Sequence, residues 1–339
     1  MELYAAIDLH SNNSVVVVID EVDHEVYRKR LSNSLPAIVA ALRTCPAPVQ
    51  AVAVESTFNW YWLVDGLLAE GFDVRLVNTA AVKQYEGLKH SGDFDDARHL
   101  AHLLRLGILP TGYICPRPER ALRDLARKRG QMVRTRSQQM LCVNNLLARN
   151  LGQHLAAQQI RKLDARQIDA LPLLTHHKLA IKANLAVMAC TDEQVHELER
   201  ELLSHAKLRQ AYQRLLTISG IGKVLALTIA LESGDMDRFR DAGHFASYAR
   251  MVDSRRESNG KTKGAGNVKC GNKHLSWAFI EAAHFAIRND DVIKRFYEKK
   301  CAKSRLKVIA LKAVAHKLAR AAFHVMRDDT AFEVRRAFG

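Results

Sequence analysis

Tyr4-Ala5-Ala6-Ile7-Asp8-Leu9-His10-Ser11-Asn12-Asn13-Ser14-Val15-Val16-Val17-Val18-Ile19 is the stretch that decides how the first third of the chain folds. Tyr4–Leu9 and Ser14–Ile19 are β-prone runs, and the polar turn His10–Asn13 between them predicts a hairpin. Asp8 stands inside the first run, where a carboxylate is costly to bury unless something pairs with it. Outward from the hairpin, Val26–Leu31 supplies a third strand and Leu35–Leu42 a helix-compatible stretch. After the Pro-flanked break Cys45–Pro48 comes Val49–Val54, a buried-strand run. Tyr61–Glu70 has helical spacing and stops at Gly71, a plausible C-cap. Val74–Asn78 is a short strand and Phe94–Leu106 an amphipathic helix. The order is β-β-β-α-β-α-β-α, an α/β region over residues 1–115.

Acids punctuate this region. Glu55 closes the strand Val49–Val54, and Asp93 and Asp96 lie three apart at the start of a helix, on one face. Taken singly each has a plain reading: Asp93 as a helix cap or dipole partner, Glu55 as an exposed strand end. Brought together, the four would repel, and a divalent cation or proton uptake relieves that repulsion. Phosphodiester chemistry uses such oxygen ligands to hold two Mg²⁺ about 3.5–4 Å apart. The order strand-acid, strand-acid, helix-acids matches the RNase H-like fold. Actin-like ATPases also begin with an acid in strand one, but follow it with a glycine-containing phosphate turn. The turn His10-Ser11-Asn12-Asn13 has no glycine.

The whole chain of 339 residues carries 51 Lys+Arg against 36 Asp+Glu, a net charge of +15 that points to a polyanionic partner. No apolar run reaches the ~20 residues of a spanning helix, and no charged-then-apolar leader follows Met1. The chain therefore reads as cytoplasmic, with no membrane partner. Six scattered cysteines form no Cys-x-x-Cys pair, which argues against zinc and against a disulfide framework.

Residues 116–208 change character, with Arg, Gln, Leu and Ala dominating. Pro116 and Pro118 open a helix to about Leu151, with apolar positions including Leu122, Leu125, Met140, Val143 and Leu147. A second helix, about Thr191–Arg214, carries Val195, Leu198, Leu202 and Leu208. Two long helices with sparse apolar stripes predict a helical hairpin or coiled-coil arm whose stripe needs a partner chain. Eight basic residues against Glu119 and Asp124 crowd positions 117–136. Arg120, Arg123, Arg127 and Arg134 among them recur at near-helical spacing and are expected to face a phosphate backbone.

Residues 209–339 are mostly helical, ending in the basic stretch Asp291–Arg336. Thr217-Ile218-Ser219-Gly220-Ile221-Gly222-Lys223 resembles a helix-hairpin-helix turn, in which Gly220, Gly222 and Lys223 would meet a DNA phosphate. A polar, glycine-rich loop spans Asp253–Lys273. Within it Ser258 stands among Arg255, Arg256, Lys261 and Lys263, cations able to stabilise charge developing on phosphorus. From spacing alone the loop reads either as a nucleic-acid-binding loop or as the seat of a nucleophile.

The set Ala6-Ile7-Asp8-Leu9-His10, Val54-Glu55-Ser56-Thr57, Asp93-Phe94-Asp95-Asp96-Ala97, Ile218-Ser219-Gly220-Ile221-Gly222 and Glu257-Ser258-Asn259-Gly260-Lys261 resembles the DEDD insertion-sequence transposases of the IS one-ten family and its IS eleven-eleven branch. The resemblance runs over nearly the whole chain, with the motifs in family order. It implies a RuvC-like RNase H-fold domain, a coiled coil and a mainly helical transposase domain. It also implies Mg²⁺ on Asp8, Glu55, Asp93 and Asp96, and Ser258 as a nucleophile that links covalently to DNA. Its implied partners are donor and target DNA, a structured bridge RNA that base-pairs with both, and further copies of the chain as a dimer or tetramer. Gly92 stands where the family often has Thr, and Ser258-Asn259-Gly260 where it often has Ser-Gly. Ser254 is therefore an alternative nucleophile. Two other readings stay open: a metal-only junction resolvase of the RuvC type, and a non-catalytic nucleic-acid-binding scaffold.

Overall fold

Alternation on two neighbouring strands organises the first unit. The computed structural model describes residues 1–82, 92–206, 209–253, 255–265, 270–303 and 306–339. Its packing divides the chain into two units, one built on Met1–Arg117 and one on Pro118–Ala265 with Gly271–Gly339. In the first, β1 (Leu3–Leu9), β2 (Asn13–Ile19), β3 (Glu25–Ser32), β4 (Val49–Glu55) and β5 (Val74–Val77) form a mixed sheet in the order β3-β2-β1-β4-β5. The β1–β2 and β2–β3 pairs are antiparallel, and β1–β4 and β4–β5 are parallel. Successive side chains on a strand point to opposite faces. Leu3, Ala5, Ile7 and Leu9 of β1, with Val52 and Val54 of β4, pack with α1 (Leu35–Arg43) and α2 (Tyr61–Ala69) on one face. Ala6, Ala53, Val15, Val17 and Val77 pack with α4 (Asp93–Arg105) on the other. A sheet covered on both faces explains why its central strands read as near-continuous apolar runs. A short helix, α3 (Thr79–Val82), joins the expected order. A mixed sheet followed by a helical region is compatible with an RNase H-like N-terminal domain.

In the second unit α5 (Arg117–Leu151) runs as far as expected, but α8 (Thr175–Ala206) starts 16 residues before Thr191 and ends before α9 (Gln210–Leu215). Ile181, Met188, Val195 and Leu202 recur every seven residues and are all buried. The two long helices lie antiparallel, tied by ion pairs from Arg129 to Glu199 and from Arg136 to Asp192. At their far end Met140, Val143, Leu147, Ile181 and Met188 close around Ile160 of α6 (Ala157–Arg161) and Ile168 of α7 (Ala165–Asp169). Much of the stripe is thus covered within the chain, because two short helices fold back over it. Leu208 lies outside the described residues.

The rest of the unit packs α9, α10 (Lys223–Ser233), α11 (Ala242–Tyr248), α12 (Lys273–Asn289), α13 (Asp291–Lys303), α14 (Lys307–Arg327) and α15 (Val334–Phe338) around one core centred on Phe245, Phe279 and Leu318. All six cysteines are free. Among the described residues no helix is long and apolar enough to cross a membrane.

Candidate metal centre and serine hairpin

Parity brings the acids together. Asp8 follows Ala6 on the α4 face of β1, and Glu55 follows Ala53 on the α4 face of β4; Ile7 pairs with Val54, so the two carboxyls stand at the same level. Helix α4 delivers Asp93 and Asp96 in its first turn on that face. Asp8 is 5% exposed. Burial, the hydrogen bond to Asp8 and the charges of Asp8 and Asp96 push the Glu55 carboxyl up to about 8. At neutral pH Glu55 therefore keeps its proton and shares it with Asp8, which is how such a cluster relieves repulsion without a cation.

Asp93 is not the cap of α4. That part falls to Asp95, whose Oδ2 accepts the Gly92 N–H at 3.3 Å. Arg30 Nη2 donates to Asp93 Oδ2 at 2.6 Å and, helped by the His10 imidazole, holds the Asp93 carboxyl below the usual range. His10 Nε2 lies 3.3 Å from Asp8 Oδ2 and 3.4 Å from Asp93 Oδ2. It is buried without a hydrogen-bond partner. One ligand atom each from Asp8, His10 and Asp93 falls within 4.8 Å of the others. The orphaned nitrogen, the repelling acids and their hard oxygen donors fit a divalent cation. His10 was missed as a site residue, although an i, i+2 spacing from Asp8 places it on the same side of an extended chain.

The stretch expected as a loop is a β-hairpin. Strands β6 (Arg255–Ser258) and β7 (Lys261–Ala265) pair antiparallel, with Ser258 opposite Lys261. Asn259 and Gly260 have φ of 52° and 69°, the left-handed pair of a two-residue type I′ turn. Asn-Gly was the signal, but polar flanks hid it. Ser258, Lys261 and Lys263 are exposed, Arg255 and Arg256 lie within β6, and Ser254 is outside the described residues.

The arginines of α5 divide. Arg120 is 2% exposed. Arg127 makes a bidentate pair with buried Glu232, at 2.7 and 2.8 Å, and Asn272 Nδ2 donates to the same carboxylate at 2.7 Å. The stripe does not present four arginines to a phosphate backbone, because its first turns are the face that packs onto the core through Leu122, Leu125 and Ala126. Arg123 is half-buried and Arg134 exposed. Arg134 joins Lys128, Arg250, Lys273 and His274 around an open cavity of about 730 Å³.

Gly220, expected to meet phosphate, sits against α12. At φ 89° its added Cβ would lie 2.3 Å from Ala282 O and 2.5 Å from Ala286 N, so the glycine serves close helix packing. Gly222 and Lys223 are exposed, and no side chain caps Gly222 at the start of α10.

Two family models match the chain: a DEDD transposase model of the IS110 group over residues 5–150, and the transposase IS116/IS110/IS902 family over residues 212–298. The chain is 25% identical over 337 residues to a Yersinia enterocolitica protein named transposase for insertion sequence element IS1328, covering 96% of this chain and 97% of that one. It is 24% identical over 337 residues to a probable family 20 transposase of Pseudomonas aeruginosa, covering 93% and 94%. A Coxiella burnetii transposase for insertion sequence element IS1111A is 22% identical over 276 residues, covering 80% and 74%. Both motif-bearing regions thus match one family in its own order, and the chain belongs to the IS110-family DEDD transposases, enzymes that move DNA.

Proposed function

We propose that the protein cleaves and exchanges DNA strands of an insertion sequence through a phosphoserine at Ser258. Its first unit would be an RNase H-like, RuvC-like domain in which Asp8, Glu55, Asp93 and Asp96 hold Mg²⁺. The observation that carries this reading is the pairing of a solvent-exposed serine at a cationic hairpin turn with a convergent acidic cluster elsewhere in the same chain. Mg²⁺, when bound, supplies charge neutralisation at the scissile phosphate.

Ser258 Oγ attacks phosphorus; the P–O bond to the departing strand breaks, and that oxygen takes up a proton. Lys261 and Lys263 offset charge developing on the non-bridging oxygens. A hydroxyl of the incoming strand then attacks the phosphoserine and releases Ser258 with its proton restored. Base pairing with a structured bridge RNA would select donor and target. The basic cavity around Arg134, with Gly222 and Lys223, would hold nucleic-acid backbone. The acids of one subunit would work with the serine of another in a dimer or tetramer. Exposed Leu141, Leu179 and Val187 on the arm support such assembly.

The test incubates protein, candidate guide RNA and labelled donor and target DNA with Mg²⁺ and resolves covalent adducts on denaturing gels. An adduct lost in both Asp8→Asn and Ser258→Ala supports the reading. Metal-dependent cutting that survives Ser258→Ala without an adduct replaces it with a metal-only resolvase. Binding without any cutting leaves a scaffold.

A further inference from the structure

We propose that His10 is a nitrogen ligand of the divalent cation at the acidic centre and biases that centre toward Mn²⁺ over Mg²⁺. The inference rests on the reading of the acids as metal ligands.

Three observations converge on the ring. First, its backbone is held from three sides. The His10 N–H donates to Asn13 O at 2.9 Å, and His10 O accepts from Asn33 Nδ2 and from Asn59 Nδ2, each at 3.0 Å. A turn fastened to β2, to the end of β3 and to the segment after β4 places its side chain reproducibly. Second, Nε2 is buried and has no hydrogen-bond partner although two carboxylate oxygens stand beside it, at 3.3 and 3.4 Å. Good N–H···O bonds are about 2.7–3.2 Å long and well aligned, and both spacings lie beyond that range. Third, neighbouring ligands on an octahedral ion with bonds near 2.1 Å stand about 3.0 Å apart. The spacings from Nε2 to both oxygens, 3.3 and 3.4 Å, come near that value, as neighbouring ligands of one ion would stand.

The chemistry gives the selectivity. Mg²⁺ is a hard ion that favours oxygen and keeps its waters, whereas an imidazole nitrogen strengthens binding of first-row transition ions. Arg30, bonded to Asp93, steadies that carboxylate whichever ion is present.

The experiment titrates the full-length protein with Mn²⁺, reads free Mn²⁺ by electron paramagnetic resonance, and records electron spin-echo modulation of the bound ion. Mg²⁺ affinity is measured by competition. In wild type we expect ¹⁴N modulation from a bound imidazole. In His10→Gln we expect its loss and a roughly tenfold drop in Mn²⁺ affinity, with Mg²⁺ affinity changed less than about threefold. Asp8→Asn should abolish binding of both ions. Bound Mn²⁺ without nitrogen modulation in wild type overturns the inference and leaves the acidic centre standing. So does modulation that persists in His10→Gln, or an equal loss for both ions. A wild-type protein that binds no Mn²⁺ overturns both. The wild-type spectrum decides the matter even if the variant folds poorly.

Discussion

Replacing Arg127 with alanine removes two charge-assisted hydrogen bonds from Glu232, at 2.7 and 2.8 Å, and strands a carboxylate that is 4% exposed. Breaking a buried ion pair from one side costs about 3–5 kcal/mol, because the remaining charge stays in a low-dielectric site. Asn272 still donates to the same carboxylate, so the lower end, about 3 kcal/mol, is expected for Arg127→Ala. The double variant Arg127→Met with Glu232→Leu should cost less than Arg127→Ala, because neither charge is left alone. Urea unfolding followed by circular dichroism at pH 7 measures both.

The pH dependence has a definite sign. Burial alone would raise the Glu232 carboxyl, but Arg127 and Asn272 hold it below 4.5, its ordinary value. A depressed folded pKa adds stability that is present above 4.5 and lost as pH falls through the folded value, a loss absent from Arg127→Ala. Non-specific DNA binding should keep its salt dependence in a variant that still folds. Stability within about 1 kcal/mol of wild type, with a salt slope smaller by about 1, would refute the reasoning and make Arg127 a phosphate contact.

Other outcomes follow from the same geometry. Glu55, with its carboxyl pushed up to about 8, stays protonated in the fold while the unfolded chain ionises above 4.5. The metal-free protein should therefore lose stability as pH rises across that window and level off above it. Calorimetry should show the slope vanish in Glu55→Gln; a flat wild-type profile contradicts the assignment. Gly220→Ala should cost about 2–5 kcal/mol from left-handed strain plus overpacking against α12, and Gly222→Ala about 1 kcal/mol or less. Equal thermal shifts for the two would count against a packing role for Gly220. Lys128→Ala and Lys273→Ala should each lower the salt slope of DNA binding by about 1 while leaving melting unchanged; an unchanged slope removes the cavity from the nucleic-acid surface.

The α/β unit was legible because its signals are local. Apolar runs ending in turn residues marked each strand and placed Asp8 within one and Glu55 at the end of another, but that the two share a face needed the parallel β1–β4 register. Harder to read was anything that depends on which partner a face meets. Arg120 and Arg127 sit at the same spacing as a solvated basic stripe would, and only the distant Glu232 shows that Arg127 turns inward. The first half of α8 was missed because exposed apolar residues such as Leu179 and Val187 blur the stripe of its buried positions Ile181 and Met188, and the helices that cover them lie in the intervening segment. Hairpin β6–β7 has no apolar alternation, so only Asn259-Gly260 betrayed it. His10 has a role only once α4 brings Asp93 alongside, a contact between residues far apart in the chain.

The most direct test of the account locates the covalent bond. Adduct formed with donor DNA, guide RNA and Mg²⁺ would be digested with nuclease and trypsin, and the peptides weighed. Trypsin separates Met251–Arg255, which carries Ser254, from Glu257–Lys261, which carries Ser258. A phosphoserine at Ser258 leaves a nucleotide remnant on Glu257–Lys261, absent in Ser258→Ala and in Asp8→Asn. A remnant on Met251–Arg255, or strand exchange with no remnant on either peptide, would contradict it.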